Sequence, residues 1–332
     1  MPIWGACYNS ERMSAFTGII GHNKIQEVLS RSLAHGTLPH ALLFIGSEGL
    51  GKTCVAQKLI QTLLNHRGDL QTQTDYLELS RLVDEKTGKR KATISVAQVR
   101  ALNSRLGLTS ISGGWKVVFV ESASYLSKGG ANALLKTLEE PKGKTLFLLT
   151  AHSVEDLPET IVSRCQILRF SPVPREEIKT GLVKMGFSPV DAELASAQSL
   201  GRPGRALRFL KESTYRSQQD TGLEQALLFF SSGLVERLGQ VTDLIPTSEL
   251  QKDEALLNTL DQWEVICRDV LLTRLGLHGL RVLPETTKMN TLVSSFSETK
   301  LLTVFQRMAE VRGAIRHNIN AHLALEHIAL AI

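Results

Sequence analysis

The sequence predicts an α/β fold in its first half, with a parallel sheet covered by helices on both faces, followed by an all-helical second half. Three observations predict it. Short runs that are apolar at nearly every position recur through the first 170 residues, as in KVVFV (Lys116 to Val120) and TLFLLT (Thr145 to Thr150). Strands buried on both faces read this way. Helix-spaced stretches separate these runs, and a strand–helix–strand–helix order implies parallel pairing through right-handed crossovers. The pattern then changes at SPVPREE (Ser171 to Glu177), beyond which helical periodicity dominates.

The elements follow in order. ALLFI (Ala41 to Ile45) is a β-compatible run that ends in glycine. Lys52 to Asn65 has helical spacing, with Val55, Leu59 and Leu63 on one stripe. DYLEL (Asp75 to Leu79) reads as a second strand, and the basic stretch Asp84 to Thr93 as a solvated turn rather than a nucleic-acid patch. Ser95 is placed to cap a helix running from Val96 to Leu108. KGGANALLKTLEE (Lys128 to Glu140) is a helix stopped by Pro141, with Leu134, Leu135 and Leu138 facing the core. QILRF (Gln166 to Phe170) is the last strand. The expected divisions are an N-terminal arm, 1–15; a nucleotide-binding domain, 16–171; a small helical unit, 172–213; and a larger helical unit, 214–332. In the last, the stripe Val304, Met308, Val311 and Ile315 is expected to be core.

Composition bounds the function classes. A chain of 332 residues with 42% apolar and 21% charged residues is globular and suited to two or three domains. The net charge of +5 is compatible with nucleic acid without demanding it. Four cysteines, Cys7, Cys54, Cys165 and Cys267, lie far apart with no C-x-x-C, which argues against a zinc site and a disulfide framework. No apolar run approaches the roughly 18 residues of a membrane span, and the start lacks a signal-peptide pattern. A cytoplasmic protein with reduced thiols is the expectation.

The chemistry concentrates in GSEGLGKT (Gly46 to Thr53), which fits G-x-x-x-x-G-K-[ST] at every fixed position and sits between a predicted strand and a predicted helix. Gly46, Gly49 and Gly51 let the backbone bend closely around phosphates. The backbone N–H groups and the helix N-terminus then face the anion. Lys52 supplies positive charge near the β/γ-phosphates, and Thr53 a hydroxyl for Mg²⁺. ATP or ADP with Mg²⁺ is the expected ligand.

Hydrolysis is a separate question. An enzyme with this loop needs an acid at the end of another buried strand, and many need a second carboxylate to orient water. Here KVVFV is followed by Glu121 and then by Ser122, so an Asp-Glu pair is absent. Glu121 is the candidate for reaching the metal, while Ser122 is a poor base near neutral pH. Losing a positioned base costs about 10²- to 10⁴-fold in rate, so very slow turnover or none is expected. Asp75, Glu139 and Glu140 stay open as alternative carboxylates.

Several segments come in an order that resembles the AAA+ clamp-loader subunits of bacterial DNA polymerase III. They are FTGIIGH (Phe16 to His22), LPHALLF (Leu38 to Phe44), the phosphate loop, ANALLKTLEEP (Ala131 to Pro141) and SRCQILRF (Ser163 to Phe170). GRPGRAL (Gly201 to Leu207) resembles the lid of delta-prime-type members, and HNINAHLALEHIAL (His317 to Leu330) the helices of the collar. The resemblance implies an AAA+ domain, a helical lid and a helical collar through which subunits form a ring. It implies as partners gamma/tau-type and delta-type subunits, the sliding clamp and primer-template DNA, with no membrane. Within Ser163, Arg164 and Cys165, it gives Arg164 the role of an arginine finger acting in trans on a neighbour's ATP. Such a guanidinium neutralises charge building on the transferring phosphoryl group. Without that resemblance, Arg164 reads as a surface arginine and Cys165 as a small buried residue.

Three departures matter. The four-cysteine zinc module of many members has no counterpart in HRGDLQTQTDYLEL (His66 to Leu79), so no zinc is expected. Glu121-Ser122 stands where gamma-type motors carry Asp-Glu, which favours the delta-prime type. The lid arginine of motor subunits falls at Gly204, beside Arg202 and Arg205, and Thr150 and His152 are candidates for the sensor after the preceding strand. Asn132 and Lys136 are open to facing a neighbour or DNA backbone phosphates. The alternatives are a gamma-type ATPase motor, or another autonomous AAA+ ATPase, and a purely structural ring component with an empty nucleotide site.

Overall fold

The computed structural model describes residues 16–66, 68–84, 90–107, 114–245, 252–315 and 319–332. The expected arm (1–15), half of the basic turn, the helix end at Leu108, and His317 and Asn318 lie outside them. The chain divides into two compact units: one takes in the chain up to Ala192 with Gly201–Arg205, the other Glu193–Leu200 and Ala206–Ile332. The segment 172–213, expected as a lid, is shared between them.

In the first unit the strands are β1 (Ala41–Ile45), β2 (Tyr76–Leu79), β3 (Lys116–Val120), β4 (Thr145–Ala151) and β5 (Gln166–Arg169). They form one five-stranded sheet in the order β2-β3-β4-β1-β5. Every pairing is parallel. Its helices are α1 (Asn23–His35), α2 (Lys52–Leu63), α3 (Val96–Leu106), α4 (Lys128–Glu139), the short α5 (Glu159–Val162) and α6 (Arg175–Lys184).

Strand periodicity of two sorts the apolar runs onto two faces. Leu42, Phe44, Val117, Phe119, Leu146 and Leu148 join a core with Leu29 of α1 and Val55, Ala56, Leu59 and Ile60 of α2. Their neighbours Leu43, Ile45, Val118, Val120, Phe147 and Leu149 join a second core with Val99 and Leu102 of α3 and Leu134 and Leu138 of α4. Both faces of β1, β3 and β4 are therefore dry, as the near-continuous apolar runs require. Removing one of the central aromatics, as in Phe147→Ala, costs about 3–5 kcal/mol.

Local signals set the helix ends. The Ser95 side chain accepts from Gln98 N while the Gln98 side chain accepts from Ser95 N, a reciprocal cap for α3. Ser127 Oγ accepts from Gly130 N at the start of α4. That helix ends at Glu139, with Glu140 and then Pro141 following, because proline has no N–H to continue it.

Beyond α6 the chain is helical: α7 (Pro189–Gln198), α8 (Pro203–Lys211), α9 (Ser213–Ser231), α10 (Leu234–Leu244), α11 (Lys252–Arg274), α12 (Thr287–Ser295), α13 (Glu298–Ala314) and α14 (Ala321–Ala329). The core of the second unit centres on Trp263 of α11. Its ring stacks on Phe229 at 4.4 Å and meets the edge of Phe230 at 5.9 Å. The stripe Val304, Met308, Val311 and Ile315 is buried in that core. Arg312 ties α13 to α11 through Asp261 (2.8 Å) and Glu264 (3.1 Å). The buried Asp269 carboxylate accepts the N–H groups of Val282 and Leu283, each at 2.7 Å, and so fixes the segment between α11 and α12.

Candidate functional site

In a parallel sheet the loops after the strands share one edge, and ligands bind there. The loop after β1 is Gly46 to Lys52. Gly46, Gly49 and Gly51 have φ of 150°, 80° and 96°, conformations open to glycine and strained for other residues. Gly51 is the N-cap of α2, and no side chain closes that helix start. Its first N–H groups are therefore not claimed by a capping side chain, as a phosphate site requires. Lys52 Nζ donates to the carbonyls of Gly46 (2.6 Å) and Ser47 (2.8 Å), which holds the ammonium across the loop. Thr53 follows in the first turn of α2. This set of backbone donors and an ammonium fits a phosphate group.

Three distant segments brace this loop. His22, from FTGIIGH, has its Nε2 2.8 Å from Leu50 O, and its ring lies 4.7 Å from that of Phe170. Burial pushes the His22 pKa down, against smaller opposing effects of the bond to Leu50 and the charge of Glu177. Phe170 itself ends SRCQILRF, and its carbonyl would lie 2.5 Å from a Cβ at Gly46. Gly204, from GRPGRAL, donates its N–H to Gly49 O at 2.8 Å. A Cβ added to Gly49 would sit 3.4 Å from Arg202 Cβ and 3.5 Å from Arg205 Cγ, so both arginines flank the loop.

The end of β3 is on the same edge. Glu121 is half-buried there, and its N–H donates to Leu79 O at 3.0 Å. Ser122 takes the left-handed conformation at φ 53°, rare for a residue with a side chain. Its N–H donates to Thr150 Oγ1 at 2.9 Å, and its carbonyl accepts from Tyr125 N at 3.0 Å. One carboxylate therefore follows β3, and the hydroxyl of Thr150 serves the backbone of Ser122.

Arg164 lies on the opposite edge, ahead of β5. The register sets Ile45, the last residue before the loop, beside Arg169 at the end of β5. The four residues of β5 thus separate Arg164 from the loop by about 13 Å of strand. Arg164 Nη1 donates to Thr160 O (2.8 Å) and Ser163 Oγ (3.3 Å), and its Nη2 is paired with the Glu139 carboxylate. Burial pushes the neighbouring Cys165 thiol up to about 12, so it stays protonated at neutral pH. The open alternatives for the metal acid fall on this far edge too. Asp75 precedes β2, while Glu139 ends α4 and Glu140 follows it, ahead of β4.

Two contacts escaped the sequence reading. The His22 brace had a signal, a histidine inside a motif segment, but its acceptor is a backbone carbonyl and leaves no pattern. The pairing of Glu139 with Arg164 joins two motif segments that lie 25 residues apart, and only the fold brings them together. Among the described residues no group of three or more His, Cys, Asp or Glu side chains is placed to hold a metal ion. No helix among them is long and apolar enough to cross a membrane.

Comparison with known proteins finds relatives that share these features. Residues 21–174 match the family model described as DNA polymerase III, delta subunit. DNA polymerase III subunit delta' of Haemophilus influenzae is 35% identical over 225 residues, 63% of this chain and 65% of that protein. The subunit delta' of Bacillus subtilis is 23% identical over 338 positions, 93% of this chain and 95% of that protein. DNA polymerase III subunit tau of Salmonella typhimurium is 28% identical over 256 residues, which are 75% of this chain but 37% of the relative. The chain thus spans just under two thirds of the Haemophilus relative. A phosphate loop after β1 of a parallel β2-β3-β4-β1-β5 sheet, read with these matches, makes the chain similar to the delta' subunits of DNA polymerase III.

Proposed function

We propose that this chain is a non-motor, delta-prime-type subunit of a DNA polymerase III clamp loader that holds nucleotide without turning it over at a useful rate and lends Arg164 to a neighbour's ATP. The observation that carries this reading is the separation of its two functional groups. The phosphate loop and Arg164 occupy opposite edges of one sheet, about 13 Å of strand apart, so Arg164 is out of reach of its own nucleotide. A guanidinium held at the surface beyond that reach suits a phosphate supplied from outside the chain.

In this reading Gly46, Gly49, Gly51, Lys52 and Thr53 bind ATP or ADP with Mg²⁺, and Glu121 makes a weak contribution at the metal. Ser163 and Cys165 frame Arg164 rather than react. The nucleotide is structural, and stabilises the fold by mass action. Residues 16–171 form the AAA+ domain, 172–213 the lid and 214–332 the collar. The partners are gamma/tau-type and delta-type subunits in a cytoplasmic assembly that sets a sliding clamp on primer-template DNA. Relatives that are themselves named as DNA polymerase III subunits support this.

The test is reconstitution with motor subunits. Arg164→Ala should lower ATP turnover of the assembly by at least about tenfold at the site it faces, given what such arginines contribute elsewhere. Unchanged turnover in a fully assembled complex would remove the finger.

A second reading, a gamma-type motor, draws on the intact loop and on the tau relative. Robust ATP hydrolysis by the purified chain alone would favour it.

A further inference from the structure

The surroundings of Arg164 go beyond placing a guanidinium at the surface. The residue follows α5, where the carbonyls of Glu159, Ile161 and Val162 accept the backbone N–H groups of Ser163, Arg164 and Cys165. The remaining carbonyl, Thr160 O, accepts from Arg164 Nη1 at 2.8 Å, and Nη1 reaches Ser163 Oγ at 3.3 Å. Nη2 is paired with Glu139, the last residue of α4.

The two halves of this arrangement differ in what a phosphate would do to them. The Thr160 bond is to a neutral backbone carbonyl, so it can persist when an anion arrives, and it locates the stem. Glu139 instead places a full negative charge on the planar fork that a phosphate would take. Two anions on one guanidinium repel each other, so carboxylate and phosphate compete. The competition is not prohibitive. The side chains of Arg164 and Glu139 are 34% and 45% exposed, and a water-screened pair of this kind is weak. A phosphoryl group with greater charge, presented in a drier interface, displaces it.

We propose that Glu139 is a positioning gate on Arg164: it occupies the guanidinium in the free subunit and yields it to a neighbour's γ-phosphate on assembly. This rests on the reading of Arg164 as a finger in trans. Glu139 thereby sets how much phosphate binding is needed before the finger engages. No bond is made or broken; one ion pair is exchanged for another.

The test uses Glu139→Gln, which keeps size and a hydrogen-bond acceptor but removes the charge. It is measured in the reconstituted loader beside Arg164→Ala and the double variant, after thermal unfolding shows that each chain is folded. With the gate removed, the ATP concentration for half-maximal turnover should fall by about twofold to fivefold, with maximal turnover retained. Glu139→Asp, which keeps the charge, should stay near the parent. In the Arg164→Ala background the Glu139→Gln change should have no effect. If Arg164→Ala depresses turnover while Glu139→Gln leaves the half-saturating concentration unchanged, or lowers maximal turnover instead, the gate is wrong and the finger stands. A shift that persists in the double variant also overturns the gate, because the charge then acts elsewhere. If Arg164→Ala changes nothing, finger and gate fall together.

Discussion

Gly204 and Gly49 meet backbone to backbone: the Gly204 N–H donates to the Gly49 carbonyl across 2.8 Å, and no side chain separates them. The contact joins the start of α8 to the phosphate loop at the position where a motor subunit's lid arginine is expected. A Cβ on Gly204 would fall 2.9 Å from Gly49 O. Gly204→Ala should therefore push the two segments apart and destabilise the first unit by about 1–3 kcal/mol. Gly239→Ala is the control, inside α10 with nothing within 4 Å of the added methyl. It should stabilise by about 0.5–1 kcal/mol. Urea unfolding of both variants reads the difference, and equal effects would remove the close-approach argument.

His22 makes the loop's support dependent on pH. Its pKa is held below the ordinary 6.5 by burial. Above 6.5 the ring is neutral in folded and unfolded chains alike and contributes no pH dependence. As the pH falls below 6.5, the unfolded chain binds a proton that the folded chain resists, so stability is lost until the folded pKa is passed. His22→Gln should show a flatter fall in unfolding midpoint between about pH 7 and pH 5 than the parent. An identical slope in both would mean that the ring titrates normally.

The loop should bind what the chain does not consume. Lys52→Ala should weaken ATP by about 10²-fold or more, read by titration calorimetry, since a charged hydrogen-bonding partner of the phosphates is lost. The parent chain should bind ATP and raise its own unfolding temperature with it. Its turnover alone should lie about 10²- to 10⁴-fold below that of a complete site, because Ser122 supplies no base.

Asp269 is the most exacting polar position in the second unit. Burial pushes its pKa up, while the N–H groups of Leu283 and Val282 and the charges of Arg268 and Arg281 oppose the rise. Asp269→Ala would strand two backbone donors, and should destabilise that unit by about 2–4 kcal/mol while leaving ATP binding to the loop intact. Loss of nucleotide binding in a still-folded variant would contradict the separation of roles.

The centre of the sheet was legible because β1, β3 and β4 are dry on both faces. β1 and β3 run from Ala41 to Ile45 and from Lys116 to Val120, as their apolar runs predict. β2 starts at Tyr76, one residue after the predicted Asp75, and β4 reaches Ala151, one beyond Thr150. The helix after the loop ends at Leu63 rather than Asn65, which takes a positive φ of 49°. The loop itself was legible because its chemistry needs fixed residue types at fixed spacing. The braces were not. Leu50, Gly49 and Gly46 are held through carbonyls or by the space a missing Cβ leaves, and these depend on which segments the fold brings together. The pairing of Arg164 with Glu139 was hidden for the same reason, since each residue has its own sufficient local explanation.

The central claim is that Arg164 serves a phosphate outside its own chain. The most direct measurement is the structure of the assembled loader with a non-hydrolysable ATP analogue in the neighbouring motor subunit. The account predicts the Arg164 guanidinium within hydrogen-bonding distance, about 3 Å, of that analogue's γ-phosphate. An Arg164 that points into solvent in the complete assembly, with no γ-phosphate near it, would contradict the account.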